Sequence, residues 1–256
     1  MKMVVCGKGG VGKTTIAGTL ARLFAERGYS VIAVDADPSM NLHTAIGVEN
    51  PTPVSRLREI INERAVIAPG MYNLNPRVDD IPERFSSVRG SVRLIVMGTV
   101  EQAGQGCLCP ENTFLRALLR HLVLKRREML ILDTEAGVEH LGRKVAENFD
   151  LMLVVVEPGG KAIEMANRLV KLSGKMGIKQ IYGVANKVTN DEQVKFVEEH
   201  LAAELLGKVP YDSAVVESDL KGVPLLDMGK KSPALRSIVR LSEKIEELFK
   251  RQATPG

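Results

Sequence analysis

Gly7-Lys8-Gly9-Gly10-Val11-Gly12-Lys13-Thr14-Thr15 is the stretch on which the reading of this 256-residue chain turns. It satisfies G-x-x-x-x-G-K-[ST] and stands between a short apolar run, residues 3–5, and a helical pattern over residues 14–27. Glycines at this density let consecutive backbone N–H groups turn inward on phosphate oxygens. A helix starting near Lys13 adds the partial positive charge of its N-terminus. Lys13 is placed to bridge β- and γ-phosphates, and the Thr14 hydroxyl to meet Mg²⁺. A plain glycine-rich turn is the alternative, and the strand-loop-helix setting argues against it.

Outward from that loop, β-branched runs recur at 31–34, 94–97, 129–132, 151–156 and 180–184, with helical stretches between them. Such runs lack polar alternation and read as strands buried on both faces, so the fold expected is α/β: a mostly parallel sheet with helices on both faces. In the first helix Ile16, Ala17, Leu20, Ala21 and Phe24 share a face, and Gly28 is a stop signal. Residues 50–92 carry the weakest pattern and read as a short helix plus loops crossing the sheet edge. A chain of this length buries enough surface for one large domain, so residues 1–256 are read as a single unit.

Composition narrows the class. Apolar residues make up 45% and charged residues 26%, an ordinary globular balance. The net charge is only +4, and the tight basic cluster Lys125-Arg126-Arg127 runs straight into Glu128, so nucleic-acid binding is not expected. No apolar run approaches the roughly 20 residues of a membrane span, and no membrane partner is expected. The first strand begins at residue 3, leaving no room for a cleavable leader, so the expected location is the cytoplasm.

Two more segments carry acids to the ends of strands, where ligands collect in parallel sheets. The second strand closes on Asp35-Ala36-Asp37-Pro38-Ser39, and a later one reads Met129-Leu-Ile-Leu-Asp133-Thr-Glu-Ala-Gly137, the form of a Walker B segment. An Asp-Pro turn is the bland reading of the first. Among the cysteines, Cys6 lies inside the first strand and is assigned to the core. Cys107 and Cys109 are one residue apart, flanked by Gly104, Gly106 and Pro110. They read as incidental thiols, a local disulfide, or half of a four-thiolate site completed across a dimer two-fold, which would suit zinc or nickel.

Lys8 goes beyond the generic motif. KGGVGKTT resembles the signature of the deviant Walker P-loop ATPases, the group of the MinD and ParA proteins, the nitrogenase iron protein and the CooC-type nickel-insertion ATPases. That resemblance implies a homodimer with ATP between the protomers, Lys8 reaching the partner's nucleotide and stabilising charge on the transferred phosphoryl. It also implies that Asp37 activates the attacking water, while Asp35 and Asp133 join Thr14 in holding Mg²⁺. Adenine would be read around Asn186, Lys187 and Pro210.

The stretch 133–143, Asp-Thr-Glu-Ala-Gly-Val-Glu-His-Leu-Gly-Arg, and the Gly-Cys-x-Cys-Pro segment are similar to the CooC type in particular. They imply Cys107 and Cys109 as Ni²⁺ or Zn²⁺ ligands, with carbon monoxide dehydrogenase as client. His140 stands as a structural residue or an additional ligand. Residues 133–143 contain no cysteine, a departure from the cluster architecture of the nitrogenase iron protein. Three functions share the expected fold: an ATP-driven metallochaperone, a MinD- or ParA-like positioning switch, and an iron-sulfur carrier.

Overall fold

A computed structural model describes residues 1–68, 70–98, 110–126, 128–135, 142–229 and 231–253. The five expected runs and the first strand all form strands of one sheet: β1 (Lys2–Cys6), β2 (Val31–Asp35), β6 (Val92–Val96), β7 (Met129–Thr134), β8 (Leu151–Val156) and β9 (Ile181–Val188). The sheet adds β5 (Ser87–Arg89) and β10 (Leu205–Pro210), in the order β10-β9-β8-β1-β7-β2-β6-β5. Every pairing is parallel except that of β5 with β6. Helices on both faces, joined by the short α2 (Leu42–Ile46), α4 (Ile81–Arg84) and α6 (Arg143–Ala146) in the connections, complete the expected α/β architecture.

Strand alternation divides the core in two. In β1, Met3 and Val5 face one layer while Val4 and Cys6 face the other. In β8, Leu151, Leu153 and Val155 oppose Met152, Val154 and Val156 in the same way. Cys6 is fully buried, as its place in the strand foretold.

On the first face lie α1 (Lys13–Glu26) and α10 (Pro233–Ala253). Ile16, Ala17, Leu20, Ala21 and Phe24 of α1 are buried, and Leu235, Ile238, Leu241 and Ile245 dock α10 beside them. Gly28, at φ +91°, ends α1 by sending its own N–H to Ala25 and that of Tyr29 to Phe24. The other face carries α5 (Pro110–Lys125), α7 (Gly160–Lys175) and α8 (Asp191–His200), with Phe114, Leu118 and Leu122 buried. No helix among the described residues is long and apolar enough to cross a membrane.

Residues 50–92 hold more structure than their pattern suggests. The short helix is α3 (Arg58–Ala65), and a two-stranded hairpin follows, β3 (Val66–Ala68) with β4 (Met71–Tyr72). β5 then turns at Gly90 onto β6. Strands of two or three residues are too short to display a period, so the sequence showed loops. β10 was hidden for another reason. It is an edge strand in which Gly207 and exposed Lys208 interrupt the apolar residues.

Candidate functional site

The phosphate loop lies where β1 gives way to α1, at the carboxyl ends of the central strands. Gly7 is indispensable there: a Cβ would stand 2.4 Å from the Val155 carbonyl oxygen. Gly12 caps α1 at φ +90° and supplies no side-chain acceptor. By contrast, α8 and α9 (Ser213–Lys221) are capped by the Asn190 and Asp212 side chains. The first-turn amides of α1 are thus left for an external anion.

The loop is braced from behind by β9. Asn186 is buried and donates from Nδ2 to the Val11 carbonyl at 2.6 Å, while Lys187 Nζ donates to the Gly10 carbonyl at 2.7 Å and pairs with Glu157 at 2.5 Å. Lys187 holds this pose at φ +57°, an uncommon value for a long side chain. Both bonds fix carbonyls of the loop from the β9 side. Asn186, Lys187 and Pro210 also line one cleft with Gly12, Thr15 and Tyr211, so the three residues named for adenine do converge beside α1.

The acids converge as well. Register sets Asp35 beside Asp133 on adjacent strands, with Asp133 also beside Val5 of β1. Asp35 is fully buried and accepts the amides of Asp37 at 3.2 Å and Leu42 at 2.9 Å. Burial pushes its carboxyl up to about 6 despite those bonds. Asp37 pairs with Lys13 at 2.6 Å, both side chains 6% exposed, and accepts the Ser39 amide and hydroxyl. Burial would raise its pKa, but Lys13 and Ser39 outweigh that and hold it below the ordinary carboxylate range.

Asp133 is fully buried, and neither of its carboxyl oxygens has a well-formed hydrogen bond among the described residues. Burial pushes it up to about 7. The Thr14 hydroxyl and Lys13 favour its charged form, while the Asp35 and Asp37 carboxylates oppose it. Two unsatisfied buried oxygens close to Thr14 are the kind of hard donors magnesium takes, so the residues present fit that ion.

Lys8 is exposed at the mouth of the loop. Among the described residues its ammonium has no carboxylate partner. Sequence reasoning passed over Glu135, whose Oε1 accepts the Gly9 amide at 3.2 Å, and Ser39, which fixes Asp37. Both sat within quoted motifs, but nothing local revealed what they would touch. Cys107, Cys109, Gly137 and His140 lie outside the described residues.

Residues 2–225 match the model of the CobQ/CobB/MinD/ParA nucleotide binding domain. An uncharacterised ATP-binding protein of Methanocaldococcus jannaschii is 47% identical over 233 residues, covering 88% of this chain and 91% of its own. The carbon monoxide dehydrogenase accessory protein CooC of Rhodospirillum rubrum is 42% identical over 245 residues, covering 92% of each. The septum site-determining protein MinD of Pyrococcus horikoshii, solved with Mg-ADP, shares the fold at a TM-score of 0.70 and 20% identity, covering 99% of this chain and 98% of that one. The chain belongs to the CobQ/CobB/MinD/ParA nucleotide-binding family of P-loop ATPases and is CooC-like within it.

Proposed function

We propose that this protein is an ATP-driven metallochaperone that hydrolyses ATP and loads nickel into a client metalloenzyme, a carbon monoxide dehydrogenase. The observation that carries the reading is the 42% identity to the Rhodospirillum rubrum accessory protein across 92% of both chains. The pair Cys107 and Cys109 supports it: two thiolates per protomer, brought together by a homodimer, make the four-sulfur set that accepts Ni²⁺ or Zn²⁺ as cargo.

In the nucleotide half of the cycle, the amides of residues 7–15 and the N-terminus of α1 receive the phosphates, and Lys13 leaves Asp37 to meet them. Asp37, released from Lys13 but still held by Ser39, then accepts a proton from the attacking water. Thr14, Asp35 and Asp133 would hold the magnesium ion, which neutralises phosphate charge when bound. Lys8, exposed at the loop mouth, is free to reach the partner's phosphates and stabilise charge on the transferred group. Adenine sits in the cleft of Asn186, Lys187 and Pro210.

Reactivation of a nickel-deficient carbon monoxide dehydrogenase tests the function. Nickel-loaded protein with ATP should restore activity faster than the same amount of free nickel, and the Lys13→Ala variant should not. Equal rates with and without the protein would remove the chaperone reading and favour a MinD- or ParA-like positioning switch.

A further inference from the structure

The groups placed to receive phosphate are engaged within the chain. Lys13 is paired with Asp37 from the end of β2, and the Gly9 amide is paired with Glu135 from the end of β7. Each of the two segments that carry the Asp35 and Asp133 carboxylates therefore contributes one anion to the phosphate loop. Glu135 approaches closely: a Cβ placed on Gly9 would stand 3.2 Å from its Oε1. A side chain at residue 9 would therefore crowd Glu135.

We propose that Glu135 is an internal phosphate surrogate, a latch that takes the Gly9 amide and leaves when a nucleotide's phosphates take its place. The proposal rests on the reading of residues 7–15 as the nucleotide site and adds to it a competitor within the chain. Two anions cannot share one amide donor in so small a loop, since like charges at contact distance repel. Phosphate arrival therefore expels Glu135. Because Glu135 lies two residues past Asp133, its departure bears on the end of β7 where Asp133 is buried. Nucleotide occupancy is in this way reported to the second acidic segment before any hydrolysis, while release of Asp37 by Lys13 reports it to the first.

The contact is exposed, and Asp37 carries no equivalent freedom, being buried and fixed by Ser39. Glu135 is thus the position at which the latch is removed without dismantling the catalytic acids. An amide-for-carboxyl change keeps an acceptor for Gly9 but cancels the charge. Truncation removes both.

The test is titration of magnesium-free wild-type, Glu135→Gln and Glu135→Ala protein with N-methylanthraniloyl-ADP, whose emission is read against a chain that contains no tryptophan. Circular dichroism melts establish that the variants are folded. The latch predicts binding three- to tenfold tighter in Glu135→Ala, with Glu135→Gln between it and wild type, and inorganic pyrophosphate competing more effectively in the same order. If Glu135→Ala does not fold, Glu135→Gln alone decides. Equal or weaker binding in the folded variants, beside normal wild-type binding, overturns the latch and leaves the nucleotide site intact. Failure of wild type to bind at all overturns the nucleotide reading and the latch together.

Discussion

Asp133→Asn should stabilise the nucleotide-free protein while crippling its response to magnesium. In the folded chain burial keeps the proton on Asp133 up to about pH 7 and on Asp35 up to about 6. In the unfolded chain both release theirs near pH 4. Between those values the folded state binds more protons than the unfolded one, so stability falls as pH rises from about 4 to about 7. For Asp133 the gap is roughly three pH units, which at about 1.4 kcal/mol per unit sets a ceiling of about 4 kcal/mol at pH 8. A carboxamide in its place is itself buried and imperfectly bonded, costing about 1–3 kcal/mol. The expected net gain is of the order of 1–3 kcal/mol, or roughly 2–4 °C in Tm per kcal/mol for a chain of this size.

Thermal melts of wild type and variant between pH 5 and 8, without nucleotide and then with Mg-ADP, measure it. The variant should melt higher at pH 8 without ligand, show a flatter decline with pH, and gain less from Mg-ADP than wild type does. A variant that melts lower at pH 8, or one that keeps the wild-type pH slope, would refute the argument that an uncompensated buried acid is held there for the ion.

The remaining predictions follow from the loop. Lys8→Ala should lose ATP hydrolysis while retaining nucleotide binding, because an exposed lysine with no carboxylate partner among the described residues contributes little to the protomer's own site; a phosphate-release assay with unchanged turnover would contradict its role. Asp37→Asn should stall hydrolysis with ATP bound, and ATP affinity should rise because Lys13 loses its 2.6 Å anionic partner. Gly12→Ala should lower stability by about 2–4 kcal/mol and weaken nucleotide binding, since alanine is strained at φ +90° and its Cβ would lie 2.3 Å from Asn186 Nδ2. Asn186→Ala, which frees the Val11 carbonyl, should weaken binding of inorganic pyrophosphate, which has no adenine to recognise, as well as of ADP; a loss confined to ADP would contradict the bracing role.

The parts of the site that were legible in sequence are those whose chemistry is contiguous. Residues 7–15 announce a phosphate loop because nine neighbours carry the pattern, and Asp35 and Asp133 stand at the ends of uninterrupted apolar strands. What joins distant segments was not legible. The bond from Asn186 to Val11 spans 175 residues, and that from Glu135 to Gly9 spans 126. No local pattern encodes either. The family resemblance implies an adenine role for Asn186 and Lys187, yet among the described residues their polar ends hold the loop carbonyls, a bracing role that only the meeting of β9 with the loop reveals. In the fold, β5 escaped because three residues display no period, and β10 because Gly207 and exposed Lys208 break its apolar run.

Metal content and oligomeric state, measured together on wild type and on a Cys107→Ser/Cys109→Ser variant, each with and without ATP and nickel, decide whether the protein is a metallochaperone. A shared four-thiolate site gives about one metal ion per dimer in wild type, lost in the variant with nucleotide binding intact. No metal under any condition, alongside intact ATP-dependent dimerisation, would contradict the metallochaperone and leave a nucleotide-gated switch.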